Sequence, residues 1–401
     1  MTSRFEFGNC MPADAGFCPQ RLSRIMPLYG SAVSAGKLPG VVALIARRGR
    51  LVLHECTGLR DPGATGPMAL DSLFRIYSMT KPIVSVAVMM LVERGQLLLS
   101  DPIGKYFPEF VDVQVESQVN GRALLTRPRS PPTIHDLLRH TSGLTYETLG
   151  TEPIQRRYAE ADLWSRDRTS SEFIAALASM PLMFEPATTF EYSRATDVLG
   201  VLVERISGVT LGAFLQDNIL GPLDMKDTAF AVMPAQHQRI AEPFAIDPDS
   251  GTAVHLINVK RPYPLQSGGL GLVSTAMDYA RFLQCLLQGG QLGPNRLLSP
   301  NTVRYMTSDH LGGMAQHFTQ RSGYMLPAGV GFGLGFSVRL ADGMDNVPGT
   351  KGLYSWGGIA GTAFFVDPVK DMFAIFLTQA PNQREVYRPI FRNMVYAALL
   401  E

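Results

Sequence analysis

LFRIYSMTKPIVSVAVMMLVERG, residues 73–95, passes from a short apolar run into a long one that closes on Glu93-Arg94-Gly95. A long apolar run ended by a glycine predicts a helix buried all round, opening near Ser78. Pro82 then falls in its first turn, where a missing N–H removes no intrahelical bond. Upstream, VVALIARRGRLVLHECTG carries two β-branched runs around Arg-Gly-Arg and predicts a hairpin over 41–57. Before it, QRLSRIMPLYGSAVSAG (20–36) is a broken helical pattern stopped by Gly36 and Pro39. Downstream, SPPTIHDLLRHTSG, SSEFIAALASM, ATDVLGVLVERISG and TLGAFLQDNIL are helical stretches punctuated by Gly, Pro or a capping Ser or Thr. Strand patterns return in FGLGFSVRL, GTAFFVDP and DMFAIFLTQA, and REVYRPIFRNMVYAALL closes the chain as an amphipathic helix. A hairpin near the start and a meander near the end imply an α+β fold. Its antiparallel β-sheet, flanked by helices, is built from both termini (1–95 and 261–401), a mainly helical domain (96–260) is inserted, and the site lies at their interface.

With 401 residues, 46% of them hydrophobic, the chain can bury a core large enough for two lobes. Its 36 basic and 35 acidic side chains balance to a net charge of +1, which leaves no field to recruit nucleic acid or an anionic membrane. A small-molecule partner fits better. The segment MTSRFEFGNCMPADAGFCPQ has no apolar signal core, and no later stretch reaches the roughly 18 apolar residues of a membrane span, so a cytoplasmic protein is expected. Cys10, Cys18, Cys56 and Cys285 form no C-x-x-C pair and read as free thiols rather than disulfides or zinc ligands. His135 and His140, in HDLLRH, lack the spacing of a helical metal pair and read as polar groups at a helix end. Neither a metal nor a cofactor is expected.

Ser-x-x-Lys puts a hydroxyl and an amine on one helix face, with Cβ atoms about 5–6 Å apart, close enough for the amine to take the hydroxyl proton. The string occurs twice, as Ser34-Ala-Gly-Lys37 and Ser78-Met-Thr-Lys81. Lys37 lies between Gly36 and Pro39, where a helix is ending and no rigid geometry can be held. Ser78 and Lys81 start the apolar helix, which buries the amine. Burial matters because an ammonium near its usual pKa of about 10.4 cannot act as a base, whereas a desolvated amine can be neutral near pH 7. The helix N-terminus also offers N–H groups to a developing oxyanion. The plainer alternative is a helix start with Ser78 as its cap.

Ser78-Met-Thr-Lys81, LLRHTSGL at 137–144, Tyr192-Ser-Arg194, GLVSTAMDYARF at 271–282 and Trp356-Gly-Gly358 together resemble the serine β-lactamase and penicillin-binding-protein superfamily. Within it they are most similar to the family VIII carboxylesterases, close to class C β-lactamases, over roughly residues 20–399. The resemblance implies that Ser78 attacks, that Lys81 assists its deprotonation, and that Tyr192, at the tyrosine of the Tyr-x-Asn element, returns a proton to the leaving alkoxide. It also implies that Trp356, Gly357 and Gly358 fill the place of Lys-Thr-Gly on a strand at the site's edge. The N–H of Ile359 would then join that of Ser78 in an oxyanion hole. Without the resemblance, Tyr192 reads as a half-buried core tyrosine and Trp356 as an apolar anchor. Arg194 stands where β-lactamases have Asn, and Trp356 where they have the Lys that pairs with the antibiotic's carboxylate. Both departures favour short-chain carboxylic esters, although the Arg194 guanidinium is a candidate replacement anchor and is counted among the substrate-binding residues.

Three other readings stand beside this one. An α/β-hydrolase needs a Ser flanked by Gly at i−2 and i+2, and no Ser here has both. A non-catalytic binding protein has no need to keep Ser78, Lys81 and Tyr192 together. Acyl transfer to an alcohol, β-lactam hydrolysis and D-amino-acid peptidase action share the acyl-enzyme, and the sequence leaves them open.

Overall fold

In the computed structural model, which describes residues 5–64, 66–119, 122–149, 152–319 and 323–400, the early apolar runs form β1 (Gly40–Arg47) and β2 (Arg50–Asp61). Arg48 and Gly49 join them at φ of +50° and +70°, the doubly left-handed two-residue turn whose twist matches that of the strands it connects. The later runs form β3 (Val330–Phe332), β4 (Ser337–Arg339), β5 (Tyr354–Gly357), β6 (Ala363–Asp367) and β7 (Met372–Leu377). Their order in the sheet is β2-β1-β7-β6-β5-β4-β3, antiparallel at every step, so the two ends of the chain meet where β1 pairs with β7.

Two details depart from the expected pattern. Gly8–Asn9 pairs in parallel with the start of β2, a two-residue cover for that end of an edge whose other end pairs with Gly66–Pro67. FGLGFSVRL is not one strand: it breaks between β3 and β4 at Gly335, which has φ of +96° and packs so close to Ser85 that a Cβ would collide with it. A bend there needs glycine.

Period-two alternation sends β1 and β7 into two different cores. Val42, Leu44 and Ala46 with Phe373, Ile375 and Leu377 enter one, and Val41, Ala43 and Ile45 with Met372, Ala374 and Phe376 enter the other. Strands buried on both faces read as continuous apolar runs, as these do. The second core is closed by α1 (Ile25–Ser34) through Tyr29 and by the C-terminal helix α6 (Arg384–Ala398) through Phe391 and Val395. The first is closed by α2 (Thr80–Glu93) and α5 (Ala276–Leu287), and it continues without a break into α3 (Ile134–Leu138) and α4 (Ala195–Ser207). Every residue of α2 from Thr80 to Leu91 is buried, Lys81 included. Its end follows the sequence: Glu93 is the last helical residue and Gly95 turns left-handed at φ of +68°. Residues 96–260 also hold the helix Ser170–Ala178 and a two-stranded ladder, Val115–Val119 with Arg122–Thr126, which no strand pattern had suggested.

Candidate active site

Ser78 is delivered to the surface of the first core by a local backbone distortion. Phe74–Arg75 pairs with Val273–Ser274, tying the approach to α2 to the GLVST segment that precedes α5. Tyr77 then takes φ of +45°, a strained value for an aromatic residue, and opens the 3-10 turn Tyr77–Met79 that leads into α2. Its hydroxyl accepts the Ile257 N–H at 2.9 Å, which pins the ring in place. The Ser78 side chain makes no helix-capping hydrogen bond, so the capping alternative does not hold.

Lys81, with only 1% of its surface exposed, donates to Gly269 O at 2.7 Å, Tyr146 Oη at 3.0 Å and Ser78 Oγ at 3.3 Å. Burial pulls its pKa down to about 7; the nearby Asp197 carboxylate opposes that shift and Arg194 adds to it. An amine poised at that value can exist as a free base at neutral pH. The other Ser-x-x-Lys copy has none of this: Ser34 ends α1, and Lys37 is an exposed cation paired with Asp249.

Tyr192 and Tyr146 face each other with ring centres 5.4 Å apart, and the Lys81 ammonium lies 4.7 Å from the centre of the Tyr192 ring. Burial raises both phenols, so both stay protonated; hydrogen bonding with Ser78 and Trp356 acts against the rise at Tyr192. Tyr146 was not singled out in the sequence, though it lies two residues beyond the LLRHTSGL segment. Trp356, on β5, donates its indole N–H to Tyr192 Oη at 3.1 Å and packs its ring against Phe332. His140 follows the end of α3, as expected of a polar group at a helix end, but it is also a buried neighbour of the site. It is fully buried, holds Ser193 Oγ at 3.1 Å, and lies 4.7 Å from Tyr192 between ring centres, while burial and then Lys81 push its pKa far down and keep it neutral. His135, by contrast, meets His310 at 2.9 Å.

Arg194 does not project into the site as expected. Its guanidinium is buried against Glu147, 3.7 Å from Asp197 and between the rings of Tyr146 and Trp164. Glu147 is itself buried, so the pair satisfies two charges that neither could carry alone. The sequence hides this because Glu147 lies 47 positions away.

After Trp356 the strand runs through Gly357, paired with Ala363, into a turn in which the Gly358 N–H donates to Thr362 O at 2.8 Å. A Cβ on Gly358 would collide with the Ile76 carbonyl, so the glycine lets this turn lie against the segment carrying Ser78. The Ile359 N–H donates to no backbone carbonyl among the described residues, and its side chain is half-exposed. Ser78, Tyr146, Tyr192, Trp356 and Gly357–Ile359 share a cavity of about 960 Å³ with Trp164, Leu149, Leu270, Met325 and Leu326; it continues along α6. Arg194 is not in its wall.

This sheet-and-helix fold, with a serine and a desolvated lysine in its cleft, is that of the β-lactamases and penicillin-binding proteins. The chain belongs to the Beta-lactamase family, which it matches over residues 28–397. It is 37% identical over 358 residues to an uncharacterized protein of Mycobacterium tuberculosis, 86% of each chain being covered. It is 32% identical to Esterase EstB of Burkholderia gladioli, with 89% of this chain and 90% of the esterase aligned. The solved structure of EstCE1, described as a hydrolase with promiscuous acyltransferase activity, is similar with a TM-score of 0.75 at 26% identity, covering 95% of this chain and 99% of that one. Family and relatives together mark the protein as a serine hydrolase.

Proposed function

We propose that the protein is a carboxylesterase that cleaves short-chain, uncharged carboxylic esters through an acyl-enzyme on Ser78. The observation that carries this reading is Lys81: buried, with a pKa near 7, and 3.3 Å from a serine oxygen that no cap occupies. Neutral Lys81 takes the Ser78 proton as Oγ attacks the ester carbonyl, and the oxyanion settles between the N–H groups of Ser78 and Ile359. Tyr192, a neutral phenol whose oxygen already accepts the Trp356 indole N–H, donates its proton to the departing alkoxide and recovers one from the Lys81 ammonium. Water, activated along the same path in reverse, releases the carboxylic acid. Tyr146, held by Lys81, is a second phenol on this path. A hydrolysis panel of p-nitrophenyl esters of increasing acyl length, run beside a cephalosporin and a D-amino-acid peptide, tests the assignment; best turnover of the peptide or the cephalosporin would replace it.

Two outcomes follow. The reactive form of Lys81 is the free amine, present above its lowered pKa, so kcat/KM for a neutral ester should climb through pH 7 and level off above it. A rising limb centred near 10 in the pH profile would rule out a desolvated base. Short-chain esters should also be processed far better than penicillins. A lysine's charged hydrogen bond to a β-lactam carboxylate is worth about 1.5–3 kcal/mol, or roughly 10- to 150-fold, and Trp356 has no charge to give. Arg194, occupied by Glu147, does not substitute for it. The indole instead favours apolar acyl or alkoxy groups. Equal kcat/KM for p-nitrophenyl acetate and benzylpenicillin would refute the preference.

Acyl transfer is the second reading, supported by the likeness to EstCE1, a hydrolase with promiscuous acyltransferase activity. The acyl-enzyme is shared, and the acceptor decides between water and alcohol. Product partitioning with an added primary alcohol separates the two.

A further inference from the structure

Helix α6 sends two arginines at the turn that carries Ile359. Arg388 Nη2 donates to the carbonyl of Gly358 and, at 2.8 Å, to that of Thr362, while its Nε reaches Gly361 O at 3.4 Å. Its neighbour Arg384 touches Ile359 O at 3.5 Å and takes the Glu385 carboxylate at 2.9 Å, leaving Arg388 to main-chain oxygens. Burial and the adjacent Arg384 lower Arg388 to about 10, which still leaves it cationic at neutral pH. A Cβ on Gly357 would stand 3.0 Å from the Arg388 guanidinium carbon, so the first glycine of Trp-Gly-Gly is what lets the cation come this close.

The Gly358 carbonyl and the Ile359 N–H are opposite ends of one planar peptide unit. A charged donor on the oxygen fixes that plane and draws electron density away from the nitrogen, which makes the N–H a stronger donor. We propose that Arg388 is a positioning residue for acyl transfer: from α6, where it lines the same cavity as Ser78, it orients and polarises the Gly358–Ile359 peptide so that its N–H meets the oxyanion formed at Ser78. Arg388 itself touches no reacting atom. The inference rests on the Ser78 acyl-enzyme proposed above.

The test compares the parent enzyme with Arg388→Lys and Arg388→Met. It reads kcat and KM on a short-chain p-nitrophenyl ester, inhibition by a trifluoromethyl ketone that forms an oxyanion on a reactive serine, and the rate of fluorophosphonate attachment to Ser78 by mass spectrometry. Arg388→Met should lower kcat about 10- to 100-fold with KM held within about threefold, because the hole is engaged only once charge develops. Ketone inhibition and Ser78 labelling should weaken in proportion. Arg388→Lys should recover part of the loss, since one ammonium cannot span the three carbonyls the guanidinium holds. If Arg388→Met does not fold, the lysine variant carries the same comparison. Parent-like kcat and inhibition in a folded variant, a rise in KM alone, or a kcat loss with ketone inhibition intact would each overturn the role of Arg388. A parent enzyme that takes no fluorophosphonate at Ser78 would instead overturn the acyl-enzyme itself, and the hole with it.

Discussion

Ser78→Ala is expected to reduce ester hydrolysis to background while the protein stays folded. Loss of the nucleophile in a serine hydrolase costs on the order of 10⁶-fold in turnover, and among the described residues no second serine hydrogen-bonds Lys81 to take over. The structural cost is small. Ser78 caps no helix, its hydroxyl meets Lys81 at the edge of a cavity, and alanine is compatible with the first turn of a helix. Circular dichroism and the thermal midpoint should therefore match the parent while p-nitrophenyl acetate goes unhydrolysed. Full turnover in a folded Ser78→Ala protein would end the acyl-enzyme reading. Ser34→Ala, at the exposed copy of the same string, should change neither activity nor stability.

Lys81→Ala and Tyr192→Phe should each lower kcat by about 10² to 10⁴-fold, the usual contribution of a general acid–base step. The double variant should lose much less than the product of the two if, as proposed, both groups handle the same proton. The contacts support that coupling: the lysine amine is 3.3 Å from the serine oxygen and 4.7 Å from the centre of the Tyr192 ring. Multiplicative losses would mean two independent functions in place of one relay. The two single variants should differ in stability. Tyr192→Phe leaves the Trp356 indole N–H without its acceptor, whereas Lys81→Ala removes a cation that burial disfavours below its pKa of about 7.

The fold was legible because its signals are local. The unbroken apolar runs VVALIA and MFAIFL, the Arg48-Gly49 turn and the apolar run after Ser78 each fix an element from neighbouring residues, and the sheet follows once the two termini pair. Context also separated the two Ser-x-x-Lys strings, since burial of the amine follows from the helix it begins. What escaped notice depends on contacts between distant segments. Arg194 looks like a free cation in the sequence because its partner Glu147 belongs to another loop, and the burial of His140 is hidden because nothing nearby in sequence reveals that Tyr192 and Phe332 enclose it. Tyr146 carried no motif beyond its place after HTSGL, yet Lys81 selects it as a partner at 3.0 Å. The break of FGLGFSVRL and the parallel Gly8–Asn9 edge likewise depend on what each segment packs against.

For anyone reshaping this pocket toward bulkier esters, the indole of Trp356 is the obvious wall to lower, and its bond to Tyr192 makes that a poor first move. The same nitrogen that borders the pocket also donates to the phenol that we propose protonates the leaving group. Selectivity and turnover therefore share one side chain, and a smaller residue there would trade speed for room. Leu326 and Met325 line the cavity without any hydrogen bond to the tyrosine, and substitution there separates the two properties that Trp356 binds together.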